Sequence, residues 1–415
     1  MEYLERAVDA KLNELLPHAA AVAIDGPKGV GKTGTARRRA TRTWLLDDPA
    51  ERALVEADPS LRGAPSGTLL LDEWQRLPQV WDTVRRQVDA GAPPGRFLLT
   101  GSATPVPGVT THSGAGRILS LRMRPMAWFE RHPGTSPVSV GALLGGDAEI
   151  TGQTDRTVGD YFRAVEASGF PGLLQLPDSV RRTYLDSYLA RIVDRDLVEQ
   201  GYAVRRPETL RRWLAAYAAA SSTTTAYSRL LDATTAGDGS QPAKTTTIAY
   251  RDLLSQIWIL DPVPGWSPSR SPMSRLQQAP KHQLADPALA LRLLGLSAAA
   301  LARSTGAHLA GPLFESLATL SVRVAAQRWG ARVGHLRTGN GDHEIDLVVE
   351  GVDGQVLGVE VKMTAAVTDS DVRHLVWLRH QLPDEVADLV ILTTGQAAYR
   401  RPDGVAVVPL ALLGV

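Results

Sequence analysis

The alternation of apolar and polar positions divides the chain into three parts. In the first third, short apolar runs at Ala20–Ile24, Leu69–Leu71 and Phe97–Thr100 alternate with stretches that suit helices. This alternation is typical of a parallel sheet with helices on its faces. We predict a three-layer α/β domain over residues 1–160.

The middle of the chain, from Tyr161 to Leu301, reads as mostly helical because it is rich in Ala, Leu and Arg. A polar stretch at Thr234–Thr247 and a Pro/Ser-rich stretch at Pro262–Pro272 interrupt it, and they predict a loop and a linker. We place this helical region at residues 161–304.

After Gly311 the pattern predicts the order αβββαβ. The first helix opens at Gly311-Pro312 with apolar residues at a spacing of three to four, and a second helix covers Asp369–Gln381. The strand candidates are Arg332–Leu336, Glu344–Glu350, Gln355–Lys362 and Ala387–Thr393. We assign these elements to a third domain, residues 305–415.

Composition narrows the class of protein. The 415 residues include 45 basic and 44 acidic side chains, so the net charge is +1 and a generic polycation is excluded. With no cysteine, disulfides, thiolate zinc sites and cysteine nucleophiles are excluded. No run of about 18 apolar residues occurs. We expect a cytoplasmic protein with no membrane partner.

A phosphate-binding loop follows the first apolar run. The pattern G-x-x-x-x-G-K-[ST] is complete in Gly26, Pro27, Lys28, Gly29, Val30, Gly31, Lys32 and Thr33. Its backbone N–H groups and the following helix N-terminus would cradle phosphates. Lys32 would contact the β- and γ-phosphates of ATP, and the Thr33 hydroxyl would ligate Mg²⁺.

Two carboxylates end the second apolar run. Asp72 and Glu73 follow Leu69–Leu71, and ligands of parallel sheets bind at the carboxyl ends of strands. As in P-loop ATPases generally, Asp72 would hold Mg²⁺ and Glu73 would orient and polarise the attacking water. In ATPases with an extra strand between these two, a polar residue such as Thr100 or Ser102 senses the γ-phosphate.

These residues resemble a family. The phosphate loop, Leu71-Asp72-Glu73-Trp74-Gln75 and Leu121-Arg122-Met123-Arg124-Pro125 look like AAA-type (AAA+/STAND-like) bacterial ATPases. More narrowly, they resemble those with a nuclease-like C-terminal domain. Gly169-Phe170-Pro171 and Asp286-Pro287-Ala288-Leu289 agree, although Pro287-Ala288 departs from the usual Pro-Gly.

The resemblance also implies an arginine that faces the phosphates. Arg117 is the leading candidate, with Arg191 and Arg195 as rivals, and such a residue raises phosphoryl-transfer rates by about 10³–10⁵. Action within one chain and action on a neighbouring copy both stay open, so a homo-oligomer is one hypothesis.

A second set of chemical groups lies near the C-terminus. Glu360 and Lys362 are two apart and share a strand face, and Asp346 lies on the preceding strand. Two carboxylates can hold Mg²⁺, and the lysine can position or help deprotonate a water. The set looks like the core of PD-(D/E)XK nucleases (a restriction-endonuclease-like fold), with Glu315 matching the acidic residue of the first helix. That resemblance implies nucleic acid as a partner.

The middle region contains a further resemblance. Two short helices are predicted at Ser221–Ala233 and Thr245–Gln256, each preceded by Ser/Thr capping residues. With Ile257–Leu260 as a following strand, they resemble a winged helix. Its second helix offers only Arg251 for phosphate contacts, with Lys244 just before it. We therefore favour a structural role over direct reading of DNA.

The sequence thus predicts ATP hydrolysis with Mg²⁺, coupled to a nuclease-like domain that acts on or binds nucleic acid. The alternative is a nucleotide-dependent regulatory switch or partner-binding protein whose nuclease-like domain is inactive. Only six of the 45 basic residues are lysines, yet two of them are Lys32 and Lys362. Because an ammonium suits a point contact with phosphate or water, this scarcity favours chemical roles for both.

Overall fold

The structure, a computed structural model, describes residues 3–102, 113–199, 201–202, 204, 206–234, 244–268, 278–339 and 341–415. Its first sheet has five parallel strands in the order β2-β3-β4-β1-β5. These strands are β1 Ala21–Asp25, β2 Arg42–Leu45, β3 Leu69–Asp72, β4 Phe97–Gly101 and β5 Leu119–Arg122. The prediction of an α/β fold with a parallel sheet is confirmed.

Both faces of this sheet are buried because side chains alternate along each strand. Val22 and Ile24 of β1 pack into one core together with Leu12, whereas Ala21 and Ala23 pack into a second core together with Val84. The helices of this part are α1 Ala7–Leu15, α2 Lys32–Arg37, α3 Pro49–Ala57, α4 Gln79–Asp89, α5 Trp128–Arg131 and α6 Val140–Gly145, with a 3₁₀ turn at Trp74–Arg76.

The middle region is helical, as its composition predicts. It contains α7 Val158–Ala167, a 3₁₀ turn at Pro171–Leu173, α8 Asp178–Arg191, a π-helical turn at Ile192–Asp196, α9 Leu197–Glu199, α10 Pro207–Ala219, α11 Tyr227–Thr234, α12 Lys244–Gln256, α13 Pro287–Leu293 and α14 Ala298–Leu301. Parts of the predicted loop and linker, residues 235–243 and 269–272, lie outside the described residues.

One helix of the middle region starts later than the sequence predicts. The prediction began at Ser221, but α11 begins at Tyr227. Ser222 adopts a left-handed φ of +60°, and its N–H donates to the carbonyl of His282 at 2.8 Å, so the chain turns at this point. The predicted strand Ile257–Leu260 is reduced to a single antiparallel bridge between Leu260 and Leu284.

The C-terminal part has the predicted order αβββαβ, followed by short strands. Its elements are α15 Ala307–Arg328, β7 Arg332–Arg337, β8 Glu344–Glu350, β9 Val356–Lys362, α16 Asp369–Gln381, β10 Val386–Thr393, β11 Tyr399–Arg400 and β12 Ala406–Pro409. The six strands form a mixed sheet in the order β11-β12-β10-β9-β8-β7. The first helix begins at Ala307, so Pro312 lies inside it and does not open it.

Three contacts join the parts. Strand β13, Leu413–Gly414, follows a 3₁₀ turn at Leu410–Leu412 and pairs with β6, Val138–Ser139. The N–H of Trp266 donates to the carbonyl of His335 at 2.6 Å, which covers the β7 edge of the C-terminal sheet. Buried Asp261 accepts ion pairs from Arg122, Arg124 and Arg323 at 3.0, 2.7 and 2.8 Å. Among the described residues, every helix is too short or too polar to cross a membrane.

Candidate functional site

The phosphate loop connects β1 to α2 at the carboxyl edge of the parallel sheet. Gly31 caps α2 with a left-handed φ of +101°, which glycine adopts without strain. A Cβ added at Gly26 would lie 2.2 Å from the carbonyl oxygen of Met123, so the close approach of the two backbones requires glycine there. The local backbone therefore fits the cradle that the motif predicts.

Lys32 is folded back into this loop. Its Nζ donates to the carbonyl oxygens of Gly26 at 2.7 Å and of Pro27 at 2.9 Å, and only 5% of the residue is exposed. Burial lowers the pKa of Lys32 to about 8, although Glu73 and nearby aspartates oppose that change. A phosphate in the loop would replace the two carbonyl acceptors with anionic oxygens, which favour the charged ammonium.

The oxygen groups expected to hold Mg²⁺ lie together. Strand β4 separates β1 from β3, as expected from the resemblance, and brings Thr100 beside Asp72. Oδ1 of Asp72 accepts hydrogen bonds from the hydroxyls of Thr33, at 2.8 Å, and of Thr100. A hydroxyl and a carboxylate side by side form a hard oxygen donor set that suits Mg²⁺.

Glu73 is held at the end of β3 by two polar partners. It adopts a left-handed φ of +53°, and its Oε2 accepts hydrogen bonds from Nε2 of Gln75 and from Oγ of Ser102 at 3.2 Å. Strain of this kind at a non-glycine residue clusters at functional sites. Gln75, which the sequence interpretation did not single out, therefore orients the expected catalytic carboxylate.

The middle region contacts the phosphate loop directly. Nζ of Lys28 pairs with Asp196 at 2.7 Å, and the Tyr188 hydroxyl donates to the Lys28 carbonyl at 3.2 Å. A Cβ added at Gly29 would lie 3.7 Å from the ring of Phe170, and one added at Gly31 would lie 3.5 Å from the ring of Pro171. The segment Gly169-Phe170-Pro171 and the π-helical turn Ile192–Asp196 thus face the loop. Turns of this π-helical kind are frequent at functional sites.

Arg117 is not brought to the phosphate loop of its own chain. It precedes β5, whose start at Leu119 is aligned with Val22, near the amino end of β1 and away from the loop. Its guanidinium is about half exposed (47%) and pairs with Asp89 at 2.8 Å. Of the two possibilities that the sequence left open, the position of Arg117 favours action on a neighbouring copy. Action on a neighbouring copy stays a prediction.

The rival arginines lie closer to the loop in the fold. Arg191 ends α8, and Arg195 lies in the π-helical turn that carries Asp196, the partner of Lys28. Both residues are exposed.

The predicted C-terminal residues meet on two neighbouring strands. Leu347 of β8 is paired with Val359 of β9, which places Asp346 beside Glu360. Nζ of Lys362 pairs with Oε2 of Glu360 at 2.9 Å, and Oδ2 of Asp346 accepts the N–H of Val361 at 2.9 Å. The structure brings together all three residues that the sequence predicts.

A lysine from the middle region occupies this acidic centre. Nζ of Lys281 pairs with Glu315 at 2.8 Å and with Asp346 at 3.0 Å, and its side chain is only 1% exposed. Within the part of the chain that the structure describes, no group of three or more His, Cys, Asp or Glu side chains is placed to hold a metal ion. The metal role of Asp346 and Glu360 stays a prediction.

The charges of the centre reflect its burial. Burial raises the pKa of Glu315 to about 8, and Asp346 adds to the rise. Burial also raises the pKa of Glu360 well above its usual value. Burial opposes the ionisation of Asp346, yet Lys281 and Lys362 together lower its pKa to about 2. The two lysines therefore favour the charged form of Asp346 against the effect of its burial.

Sequence reasoning missed Lys281, although a signal for it was present. It is one of six lysines in a chain that otherwise uses arginine, and the same scarcity pointed to Lys32 and Lys362. All three lysines lie at the two polar centres of the fold.

Comparison with known protein families indicates the class of domain that contains the phosphate loop. Residues 18–132 match the AAA domain family AAA_14, residues 158–300 match a domain of unknown function (DUF8612), and residues 310–413 match another (DUF4143). With the parallel sheet and the phosphate loop, the first match defines the N-terminal part as a P-loop ATPase domain of AAA type. The nuclease-like and winged-helix descriptions of the other parts stay predictions.

The chain is also similar to two curated mycobacterial proteins. It is 28% identical to Uncharacterized protein Rv2008c of Mycobacterium tuberculosis and to Uncharacterized protein Mb2031c of Mycobacterium bovis, over 97% of this chain and 83% of each relative. Among solved structures, the Walker-type ATPase PABY2304 of Pyrococcus abyssi is similar over 70% of this chain and 96% of that one, at 16% identity and a TM-score of 0.40. The ORC2 protein of Aeropyrum pernix is similar over 70% and 90%, at 16% identity and a TM-score of 0.30.

Proposed function

We propose that the chain binds ATP with Mg²⁺ and hydrolyses it at the phosphate loop. The observation that supports this most is the pair formed by the Thr33 hydroxyl and Asp72 at 2.8 Å, with Glu73 next to it along the chain. Lys32, Thr33 and Asp72 would bind phosphate and metal. When bound, Mg²⁺ would neutralise charge on the phosphate oxygens.

Glu73 would orient the attacking water and accept its proton. Gln75 and Ser102 fix the carboxylate of Glu73, so little reorganisation is required when water and nucleotide are in place. Thr100, which donates to Asp72, would hold the metal-binding carboxylate in orientation.

The test of hydrolysis is Glu73→Gln, which keeps the size of the side chain and removes the base. We expect turnover of ATP to fall at least about 100-fold while ATP binding, measured by calorimetry, stays within about threefold of the wild type. Unchanged turnover would remove Glu73 from the mechanism.

We further propose that nucleotide state regulates the C-terminal part. The support is a series of contacts that begins at the loop: Phe170 and Pro171 lie against it, and the N–H of Gly169 donates a hydrogen bond to Asp286 at 2.6 Å. Asp286 is five residues from Lys281, which lies in the acidic centre. A displacement of the phosphate loop on ATP binding would therefore reach both parts, as the regulatory-switch alternative requires.

A second candidate function is cleavage or binding of nucleic acid by the C-terminal part, and the convergence of Asp346, Glu360 and Lys362 favours it. Wild type and Lys362→Ala would be incubated with labelled DNA and RNA, with Mg²⁺ or Mn²⁺, with and without ATP. Cleavage by the wild type alone would support a nuclease. No cleavage under any condition would favour the switch.

A further inference from the structure

The acidic centre of the C-terminal part contains its own cation. Nζ of Lys281 lies 2.8 Å from Oε1 of Glu315 and 3.0 Å from Oδ1 of Asp346, so it bridges α15 and β8. A divalent cation bound by the same two carboxylates would need to lie between them. The ammonium therefore takes the position that two carboxylates offer to a metal.

Lys281 is held in this position by its backbone. Its N–H donates to the carbonyl of Val263 and its carbonyl accepts the N–H of Val263, both at 2.9 Å. The neighbouring His282 donates its N–H to Thr223 at 2.8 Å, and its ring Nε2 lies 2.7 Å from the Thr225 carbonyl. The side chain enters the centre from a fixed segment of the middle region.

Two further oxygen atoms of the centre also accept N–H donors. Oδ2 of Asp346 accepts the N–H of Val361, and Oε2 of Glu360 accepts Nζ of Lys362. A Mg²⁺ ion needs oxygen ligands at about 2.0–2.1 Å in near-octahedral geometry. Two ammonium groups at this centre would repel such an ion, because like charges repel strongly in a buried setting and the carboxylates already have cationic partners.

We propose that Lys281 is the resident cation of this centre, that it stands in place of a divalent metal, and that it excludes divalent cations while it is bound to Glu315 and Asp346. This inference goes beyond the proposed ATP hydrolysis, and it argues against metal-dependent cleavage at this centre while Lys281 is bound there. It also gives the centre a structural role, because the buried ion pairs join the middle region to the C-terminal part.

The test measures the binding of Mn²⁺ to the full chain without nucleotide, by calorimetry and by Mn²⁺ electron paramagnetic resonance. We expect the wild type to show no Mn²⁺ site that depends on Asp346. Lys281→Met, which keeps a chain of similar length and removes the charge, is expected to gain one site with a Kd at least about tenfold lower than any wild-type value. Adding Asp346→Asn to Lys281→Met is expected to remove that site.

The matched control is Lys11→Met, because Lys11 pairs with Glu14 at 2.6 Å on the surface helix α1. It is expected to leave Mn²⁺ binding as in the wild type. Mn²⁺ that binds near Asp72 should bind the wild type and Asp346→Asn equally, so comparison of these two proteins isolates binding at the C-terminal centre. Saturable, Asp346-dependent Mn²⁺ binding by the wild type would overturn the proposal, and this measurement does not require the Lys281 variant to fold.

A second measurement addresses the ion pairs. Denaturant unfolding of wild type, Lys281→Met, Asp346→Asn and the double variant forms a double-mutant cycle. Asp346→Asn alone leaves the buried ammonium of Lys281 with one carboxylate partner fewer. We therefore expect the double variant, which lacks this ammonium, to unfold at a higher denaturant concentration than Asp346→Asn. Simple additivity would contradict a direct pairing of Lys281 with Asp346. Failure of the ATPase proposal would leave both measurements unaffected.

Discussion

The backbone N–H of Gly169 donates a 2.6 Å hydrogen bond to Oδ2 of Asp286, which lies 117 residues further along the chain. The same oxygen accepts the Ser168 hydroxyl at 3.0 Å, and Oδ1 caps α13 by accepting the N–H of Ala288 at 2.8 Å. Asp286 is completely buried. One carboxylate therefore fastens the turn that faces the phosphate loop to the segment that carries Lys281.

Replacing Asp286 with Ala should loosen this turn. Three buried donors would lose their acceptor, at a cost of about 1–3 kcal/mol each for an unsatisfied group, less where water enters. We expect a clear drop in melting temperature and about tenfold weaker ATP binding, because Phe170 and Pro171 follow Gly169. Calorimetry and thermal unfolding measure the two effects. Asp155→Ala, at a side chain that is 98% exposed, is the control and should change neither.

Replacing Lys32 with Ala should abolish tight nucleotide binding. Each hydrogen bond from a charged group contributes about 1.5–3 kcal/mol, so the loss of two phosphate contacts predicts at least about a 100-fold rise in Kd for ATP. Lys28→Ala is the matched control in the same loop, since Lys28 is about half exposed and pairs with Asp196. Equal losses in the two variants would contradict a specific role for Lys32.

Replacing Gln75 with Ala should slow catalysis without weakening binding. The variant frees the Glu73 carboxylate from one of its two polar partners, so the base is held less firmly. We expect kcat for ATP hydrolysis to fall about tenfold and the Kd for ATP to stay unchanged. Steady-state kinetics and calorimetry separate these quantities. A rise in Kd with unchanged kcat would assign Gln75 to binding.

The ion pairs of Asp261 should make stability depend on pH. Burial opposes its charge, but Arg124, Arg323 and Arg122 outweigh burial and hold the pKa of Asp261 below its usual value. Because the folded pKa is depressed, this stabilisation is fully present above the unfolded pKa of about 4 and is lost progressively as pH falls from there through the folded pKa. Urea unfolding between pH 7 and pH 3 should show the beginning of this loss in the wild type.

Asp261→Asn is the variant that checks this assignment. At neutral pH it leaves three partly buried guanidinium groups without their carboxylate, and we expect it to lower the free energy of unfolding by up to about 3–5 kcal/mol. Its stability should also fall less between pH 5 and pH 3 than that of the wild type. Parallel pH profiles would show that another carboxylate governs acid unfolding.

Arg117 is expected to act between copies of the chain, since it lies away from its own phosphate loop. We expect Arg117→Ala and Lys32→Ala each to lose most ATP turnover, and a mixture of the two to recover part of it. Recovery arises because one copy supplies the arginine and the other the intact loop. A mixture that stays inactive, or an Arg117→Ala variant with full turnover, would contradict this role. Arg195→Ala provides the comparison for an arginine of the same chain.

The sequence by itself determined the phosphate loop, the two carboxylates after β3 and the order of elements in the C-terminal part. These features are local: eight consecutive residues dictate the loop backbone, and side-chain alternation places Glu360 and Lys362 on one strand face. Local rules failed at α11, where the N–H of Ser222 bonds to His282 and turns the chain.

Only the tertiary structure decided what surrounds these groups. Lys281 meets Asp346 across 65 residues, and Asp286 meets Gly169 across 117, so no periodicity or motif records either pair. The position of Arg117 likewise follows from the alignment of β5 with β1. Burial then sets the chemistry, because a carboxylate pair in water would attract a metal, whereas the same pair around a buried ammonium is already neutralised.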